Sequence, residues 1–237
     1  VAAAVLAGAL AGCSASAGST VITGTASAST AETGEEADTS AQAAALSAVT
    51  GDYSDRDLDG TWDAAAATAI VCSGDTAAVT GTGATASAGL ITISEAGTYV
   101  LSGSFTGQVL VTADSEDKVQ IVLDGVTITS TDGPAINVQQ ADKVFLTLAD
   151  GTQNAVSDSE NYTLDADSDE PNACIYAKDD LTINGSGSLT VTGVYNHGIY
   201  CKDDLKVCGG TLTITAANAG LKGKDSVSVC AGTISIT

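Results

Sequence analysis

The stretch KDDLTINGSGSLTVTG, residues 178–193, recurs as KDDLKVCGGTLTITAA at 202–217 and as KDSVSVCAGTISIT at 224–237. In each copy a short run alternates apolar and polar residues, a glycine-containing turn follows, and a second alternating run closes the unit. Period-two alternation rich in Val, Ile and Thr is the signature of β-strands. The same texture extends upstream through KVFLTLAD at 143–150, KVQIVLDGVTITS at 118–130 and LITISEAGTYVLSG at 90–103. The residues that begin the central runs, Val119, Val144, Leu181, Leu205 and Val227, are 25, 37, 24 and 22 residues apart. A period of this size marks a solenoid or propeller, and units of two or three short strands without helices fit a parallel β-helix. Like positions then stack about 4.8 Å apart. The long step is a coil carrying an acidic surface loop, DGTQNAVSDSENYTLDADSDEPNA at 150–173.

The register predicts which side chains face inward. Leu181, Ile183, Leu205, Val207, Val227 and Val229 should stack in the core, while Thr182, Lys206 and Ser228 face outward. Leu189, Val191, Leu212, Ile214, Ile234 and Ile236 form a second wall, and Ile175, Ile199 and Leu221 a third. Two residues before each anchor stands Asp117, Asp142, Asp179, Asp203 or Asp225. Asp180 and Asp204 form an adjacent column that ends at Ser226, and Lys178, Lys202 and Lys224 form another. Stacked carboxylates repel one another, so something offsets the cost. Either each Asp accepts hydrogen bonds from turn backbone beside a neutralising Lys column, or calcium bridges neighbouring carboxylates.

Ahead of the repeats, Asp55, Asp57, Asp59 and Gly60 reproduce the DxDxDG opening of a calcium loop. Position twelve is Ala66 rather than the bidentate Glu, so a solvated acidic turn competes with a calcium site. Composition excludes one class of partner: 29 acidic residues against 8 basic ones, and a net charge of −21, rule against nucleic acid.

The N-terminal residues 1–12 resemble the remnant of a signal peptide, too short for a stable membrane span. Leu10-Ala11-Gly12-Cys13 resembles a bacterial lipobox, with Cys13 lipidated as a membrane anchor and 13–51 a flexible low-complexity linker. The expected location is extracellular, as a cell-surface lipoprotein. The domain proper then runs from 52 to 237, with a lead-in and first strands over 52–100 and coils over 101–237. TISIT ends inside a strand, and the β-helix is expected to continue beyond it.

SDRDLDGTWD, EAGTYVLSG, DEPNACIYAKDDLTINGSGSLTV, NHGIYCKDDLKV and LKGKDSVSV, in this order, resemble a family of bacterial carbohydrate-binding β-helix proteins that bind cellulose and polygalacturonate. The similarity covers about residues 53–237. It implies a right-handed single-stranded parallel β-helix, calcium as cofactor, surface location and non-catalytic binding of acidic plant cell-wall polysaccharide. The calcium ligands it implies are Asp179, Asp180, Asp203, Asp204 and Asp225. The turn NAGL at 218–221 departs from the family's frequent Asp-Gly-Ile-like turn.

Lys178, Lys202 and Lys224 are placed to pair with uronate carboxylates, and Tyr176, Tyr195 and Tyr200 to stack on sugar rings. The alternative is an outward aromatic ladder that only stabilises neighbouring coils. A calcium-dependent polysaccharide lyase needs a basic side chain to remove a proton. Arg56, the one arginine, lies outside the repeats, and the lysines sit beside acids that raise their pKa. A protein adhesin and a structural spacer complete the alternatives. His197, in a turn, is read as solvated. Cys208 and Cys230 stand three residues after their anchors, on neighbouring coils close enough for a disulfide.

Overall fold

The computed structural model describes residues 20–23, 52–164 and 166–237. The expected signal remnant, the lipidated Cys13 and the linker apart from 20–23 lie outside the described residues. The anchors pair as the spacing requires: Val144 lies opposite Val119 and Leu181, and Leu205 opposite Leu181 and Val227, all in parallel register. Side-chain facing follows from that register. Leu181, Ile183, Leu205, Val207, Leu189, Val191, Leu212, Ile214, Ile175 and Ile199 are buried in one apolar core, each such side chain contributing roughly 1.5–3 kcal/mol. Val227 departs from the expectation at 44% exposed. Among the described residues, its part of the strand has a neighbour on one side only.

The chain is all-β, but the right-handed single-stranded parallel β-helix is corrected by the hydrogen-bond topology. Six parallel strands form a closed ring: β8 (Lys118–Thr129), β10 (Lys143–Leu148), β13 (Asp180–Gly185), β16 (Asp204–Ala216), β14 (Ser188–Gly193) and β11 (Gln153–Ser157), which pairs back to β8. The cause lies in the glycine turns, expected from the sequence to end strands. β8 continues past Gly125 at φ +72°, and β16 past Gly209 and Gly210, the latter at φ +78°. Each long strand therefore bends and pairs with two strands in turn, β8 with β10 and β11, β16 with β13 and β14. Glycine permits such backbone where a Cβ would not.

The ring belongs to a mixed eleven-stranded sheet. β6 (Gly97–Thr106) adds to β8 in parallel, followed by β2 (Thr68–Gly74) and, antiparallel, β3 (Thr76–Thr80). At the other end β18 (Ser226–Ile236) pairs with β16, and β1 (Thr20–Thr23) joins β18 antiparallel. Part of the β18 edge is thereby paired, by residues inside the expected linker. A second, seven-stranded sheet runs β17 (Leu221–Gly223), β15 (His197–Cys201), β12 (Ala173–Ala177), β9 (Ile136–Gln140), β7 (Gln108–Thr112), β5 (Leu90–Ile93) and β4 (Ala84–Ser87). It is parallel except for the β4–β5 hairpin.

Two segments cover outer faces and so position the candidate sites. Residues 52–63, with a single helical turn α1 (Asp55–Leu58), lie on the outer face of β10, β13 and β16. The acidic segment after β11 folds over β12 and reaches Lys202 at the end of β15.

Candidate functional site

The DxDxDG segment is a helix cap rather than a loop open to an ion. Ser54 and Asp57 form a reciprocal capping box, the Asp57 carboxylate accepting from the Ser54 N–H and hydroxyl, each at 2.9 Å. Asp57 is fully buried, accepts from Thr182 Oγ1 at 2.6 Å, and pairs with Lys143 Nζ at 2.8 Å and Lys206 Nζ at 3.7 Å. Burial alone would raise its pKa. The hydrogen bonds from Lys143, Thr182 and Ser54 outweigh that and hold the carboxyl far below the usual range. Asp55 is exposed in the helical turn, and Asp59 accepts from the Thr61 N–H at 2.9 Å. With Asp57 committed to two ammonium groups, Asp55, Asp57 and Asp59 do not fit a calcium loop.

A polar ladder carries the rest of the clamp. Arg56 Nη2 donates to Gln120 Oε1 at 2.7 Å, Gln120 Nε2 to Thr147 Oγ1 at 2.9 Å, and Thr147 Oγ1 to Asn184 Oδ1 at 2.7 Å. Asn184 Nδ2 then donates to the carbonyls of Asp57 and Asp59 at 3.3 and 3.2 Å. On one side of the segment is a 310 Å³ pocket containing Lys118, Lys143, Lys206 and Asp180. On the other is a groove of about 490 Å³ whose walls include Leu58, Trp62, Leu148, Asp150, Ser186 and Cys208.

The sequence reading missed Lys143 and Trp62. Lys118, Lys143, Asp180, Asp204 and Ser226 share one register column, so the Asp180–Asp204 column continues upstream as lysine. Lys143 Nζ lies 3.6 Å from Asp180 as a result. That alternation is legible in DKV, DKV, DDL, DDL and DSV. Trp62, the one tryptophan, sits directly after the acidic turn.

Equivalent corners, between β12 and β13, between β15 and β16 and between β17 and β18, carry Lys178, Lys202 and Lys224. Their backbone N–H groups donate to Val138 O, Ala177 O and Cys201 O at 3.0, 2.8 and 2.9 Å, which aligns them as a column. Lys178 and Lys224 are exposed. The Lys202 ammonium is bonded to Glu170, and that contact holds its pKa above the ordinary value.

Several members of the Asp columns are turn caps. Asp117 Oδ2 accepts from Ala96 N at 3.1 Å and Asp179 Oδ2 from Ala141 N at 3.0 Å. Asp180 Oδ1 accepts from Asp204 N at 3.3 Å, and Asp204 Oδ1 from Ser226 Oγ at 2.7 Å. Asp203 differs: burial and then the carboxylates of Asp180, Asp225 and Asp204 raise its pKa. Among the described residues no three His, Cys, Asp or Glu side chains are grouped as metal ligands.

The aromatic column exists, with Tyr176 opposite Tyr200 and Tyr200 opposite Lys222. It is covered rather than open. Tyr176 is fully buried and donates to Glu170 Oε2 at 2.9 Å, and Tyr200, also buried, meets it edge-on at 5.8 Å between centroids. Lys222 Nζ lies 4.2 Å from the Tyr200 centroid and 3.2 Å from His197 Nε2. His197 is buried, contrary to the expected solvation, because Ala219, Tyr200 and Lys222 lie against its ring; burial and then the Lys222 charge lower its pKa. Tyr195 alone of the three tyrosines is substantially exposed, at 37%, stacked on Tyr162 with centroids 4.0 Å apart. Cys208 and Cys230 are free thiols in contact, and burial followed by Cys230 pushes the Cys208 pKa strongly up.

A sequence profile of the family described as "Carbohydrate-binding domain-containing protein" matches residues 87–237. A relative of that same description from Acetivibrio thermocellus is 45% identical over 128 residues, 53% of this chain and 45% of the relative. The chain thus spans less than half the length of that curated relative. A solved structure described as the polysaccharide lyase-like protein from C. thermocellum, gadolinium derivative, aligns at 34% identity with a TM-score of 0.64, covering 70% of this chain and 80% of that one.

Proposed function

The chain belongs to the carbohydrate-binding domain-containing protein family, and from that premise we propose that it binds an acidic, pectate-type polysaccharide without cleaving it. The observation that carries this reading is the aligned corner of Lys178, Lys202 and Lys224. In a chain of net charge −21, a lysine column is where a polyanion meets least repulsion. Exposed ion pairs contribute only about 0.2–1 kcal/mol each. A polymer that engages several at once gains by avidity what a single uronate lacks. Tyr195, stacked and half-open nearby in sequence, supplies a ring face to the same reading.

Calcium enters at Asp203 and Asp225, where the Asp203 carboxyl is raised by burial and then by neighbouring carboxylates, whose repulsion a divalent ion would relieve. The ion would supply charge neutralisation between protein carboxylates and uronates. The Leu10–Cys13 motif supports tethering at an outer bacterial surface, which brings the domain to extracellular polymer.

Lyase chemistry is the second reading, favoured by the description of the solved relative and by the lysine-lined pocket. Against it, Lys143 and Lys206 face the ionised Asp57, Lys118 is raised by its bond to Asp142, and Arg56 is engaged with Gln120 and the Phe145 ring. A lysine base must lose its proton near neutral pH, and the bond to Asp142 does the reverse for Lys118.

The test is affinity electrophoresis in polygalacturonate of the native chain and a K178Q/K202Q/K224Q variant. At about 0.5 kcal/mol per ion pair, the variant loses about tenfold in affinity. Equal retardation of both would remove the lysine corner from the site. Release of unsaturated uronate products would establish the lyase reading instead.

A further inference from the structure

The groove on the far side of residues 52–63 is unlike the lysine corner in every respect that bears on a ligand. Its walls combine Trp62 and Leu58, the latter 55% exposed, with the hydroxyl–carboxylate pair in which Ser186 Oγ donates to Asp150 Oδ1 at 2.7 Å. We infer that this groove is a second glycan subsite, specific for an uncharged oligosaccharide segment, with Trp62 as the platform and Asp150 as the acceptor of sugar hydroxyls.

Three observations carry it. First, the chemistry is amphipathic in the way sugar is. A pyranose presents an apolar face of C–H groups that suits an indole ring, and an equatorial rim of hydroxyls that suits a carboxylate able to accept several hydrogen bonds. A volume of about 490 Å³ lies in the range of small-molecule clefts.

Second, charge selects against uronate. Asp150 is the one acidic side chain on a groove wall that carries no basic one, and the Cys208 thiol is kept neutral by burial and by Cys230. A sugar carboxylate seated there would face a carboxylate with no ammonium group to offset it.

Third, the backbone that leads to Trp62 is held against β13 before a ligand arrives. A Cβ on Gly60 would stand 2.8 Å from Gly185 Cα, so backbone meets backbone where the groove begins. Asn184 also holds the Asp57 and Asp59 carbonyls just upstream. A preformed wall lowers the ordering cost of binding. The groove and the lysine corner lie at opposite ends of β13, roughly 17 Å apart at about 3.3 Å per residue. They are separate sites on one polymer-binding protein.

This inference rests on the carbohydrate-binding reading but not on its acidic specificity. Trp62 is the one tryptophan, so its emission reports on the groove directly. The full chain is titrated with uncharged β-1,4-linked glucan, xylan and mannan hexasaccharides, and with hexagalacturonate, up to about 10 mM, above the millimolar range of weak contacts. A saturable change in Trp62 emission is expected with at least one uncharged hexasaccharide. Calorimetry should show that affinity falling at least tenfold in D150A and in W62A, with polygalacturonate retardation unchanged in both. Trp62 silence towards all three uncharged sugars overturns the subsite, as does unaltered affinity in both variants. A response to hexagalacturonate alone also overturns it. Uncharged sugar bound without polygalacturonate would instead sink the lysine corner and leave the groove standing.

Discussion

Asp57→Asn removes one charge and almost no volume from the base of the 52–63 clamp. The carboxylate it replaces is fully buried and faces Lys143 at 2.8 Å, whose side chain is only 10% exposed. Breaking one side of a buried ion pair costs about 3–5 kcal/mol, because the remaining charge stays desolvated. Lys143 keeps Asp180 at 3.6 Å, which places the expected loss at the lower end, about 3 kcal/mol. With an m-value of about 3 kcal/mol/M in urea, the midpoint falls by about 1 M.

Trp62 emission follows release of the segment, and far-ultraviolet dichroism follows the sheets. The Trp62 transition is expected to move first, since the clamp is one edge of the structure rather than its core. D57N/K143M should recover much of the loss, because the orphaned ammonium is removed with its partner. An unchanged Trp62 midpoint in D57N, or a double variant no better than D57N alone, would refute the assignment of the clamp to this pair. The pH dependence gives an independent check of sign. The folded carboxyl titrates far below its unfolded value of about 3.9. Its contribution is therefore complete above that value and is lost progressively as pH falls from there towards the much lower folded value. The gap between native protein and D57N should begin to narrow at about pH 4 and go on narrowing as the pH is lowered further.

Asp203 behaves in the opposite sense. Its raised carboxyl opposes stability at neutral pH and ceases to do so as acid protonates it. D203N should therefore raise the urea midpoint at pH 7 and not well below pH 4 (a carboxyl near 3.9 unfolded), and millimolar calcium should stabilise the native chain but not D203N. Tyr176→Phe removes a buried hydroxyl's bond to a charged acceptor, at a cost of about 1.5–3 kcal/mol. Hydrogen exchange should quicken over 158–172 first, and uniform protection would argue that the covering segment is held by other contacts. Glutathione disulfide should cross-link Cys208 to Cys230, because Cys230 is partly exposed and the two thiols are in contact, while the buried Cys72 and Cys201 stay reduced. A peptide map showing any other pairing would contradict the contact.

The register was legible because period two leaves little freedom: a slip of one residue from Val144 opposite Leu181 would turn the core residues outward. What spacing could not convey was continuity through glycine. Gly125, Gly209 and Gly210 read as turns, but they bend β8 and β16 without ending them, and the closed ring follows. Nor does a strand position say what lies over it. Tyr176 and Tyr200 point outward as alternation requires, yet Glu170 and its segment cover them. At Asp57 two signals compete in one stretch. SDRD is a capping pattern and DRDLDG a calcium pattern, and the ammonium of Lys143, 86 residues on in the chain, decides for the first.

The central claim is tested most directly by calorimetric titration of polygalacturonate into the full chain at two salt concentrations, with and without calcium. The account predicts binding that weakens as salt rises and strengthens with calcium. No heat of binding in any of the four conditions would contradict it.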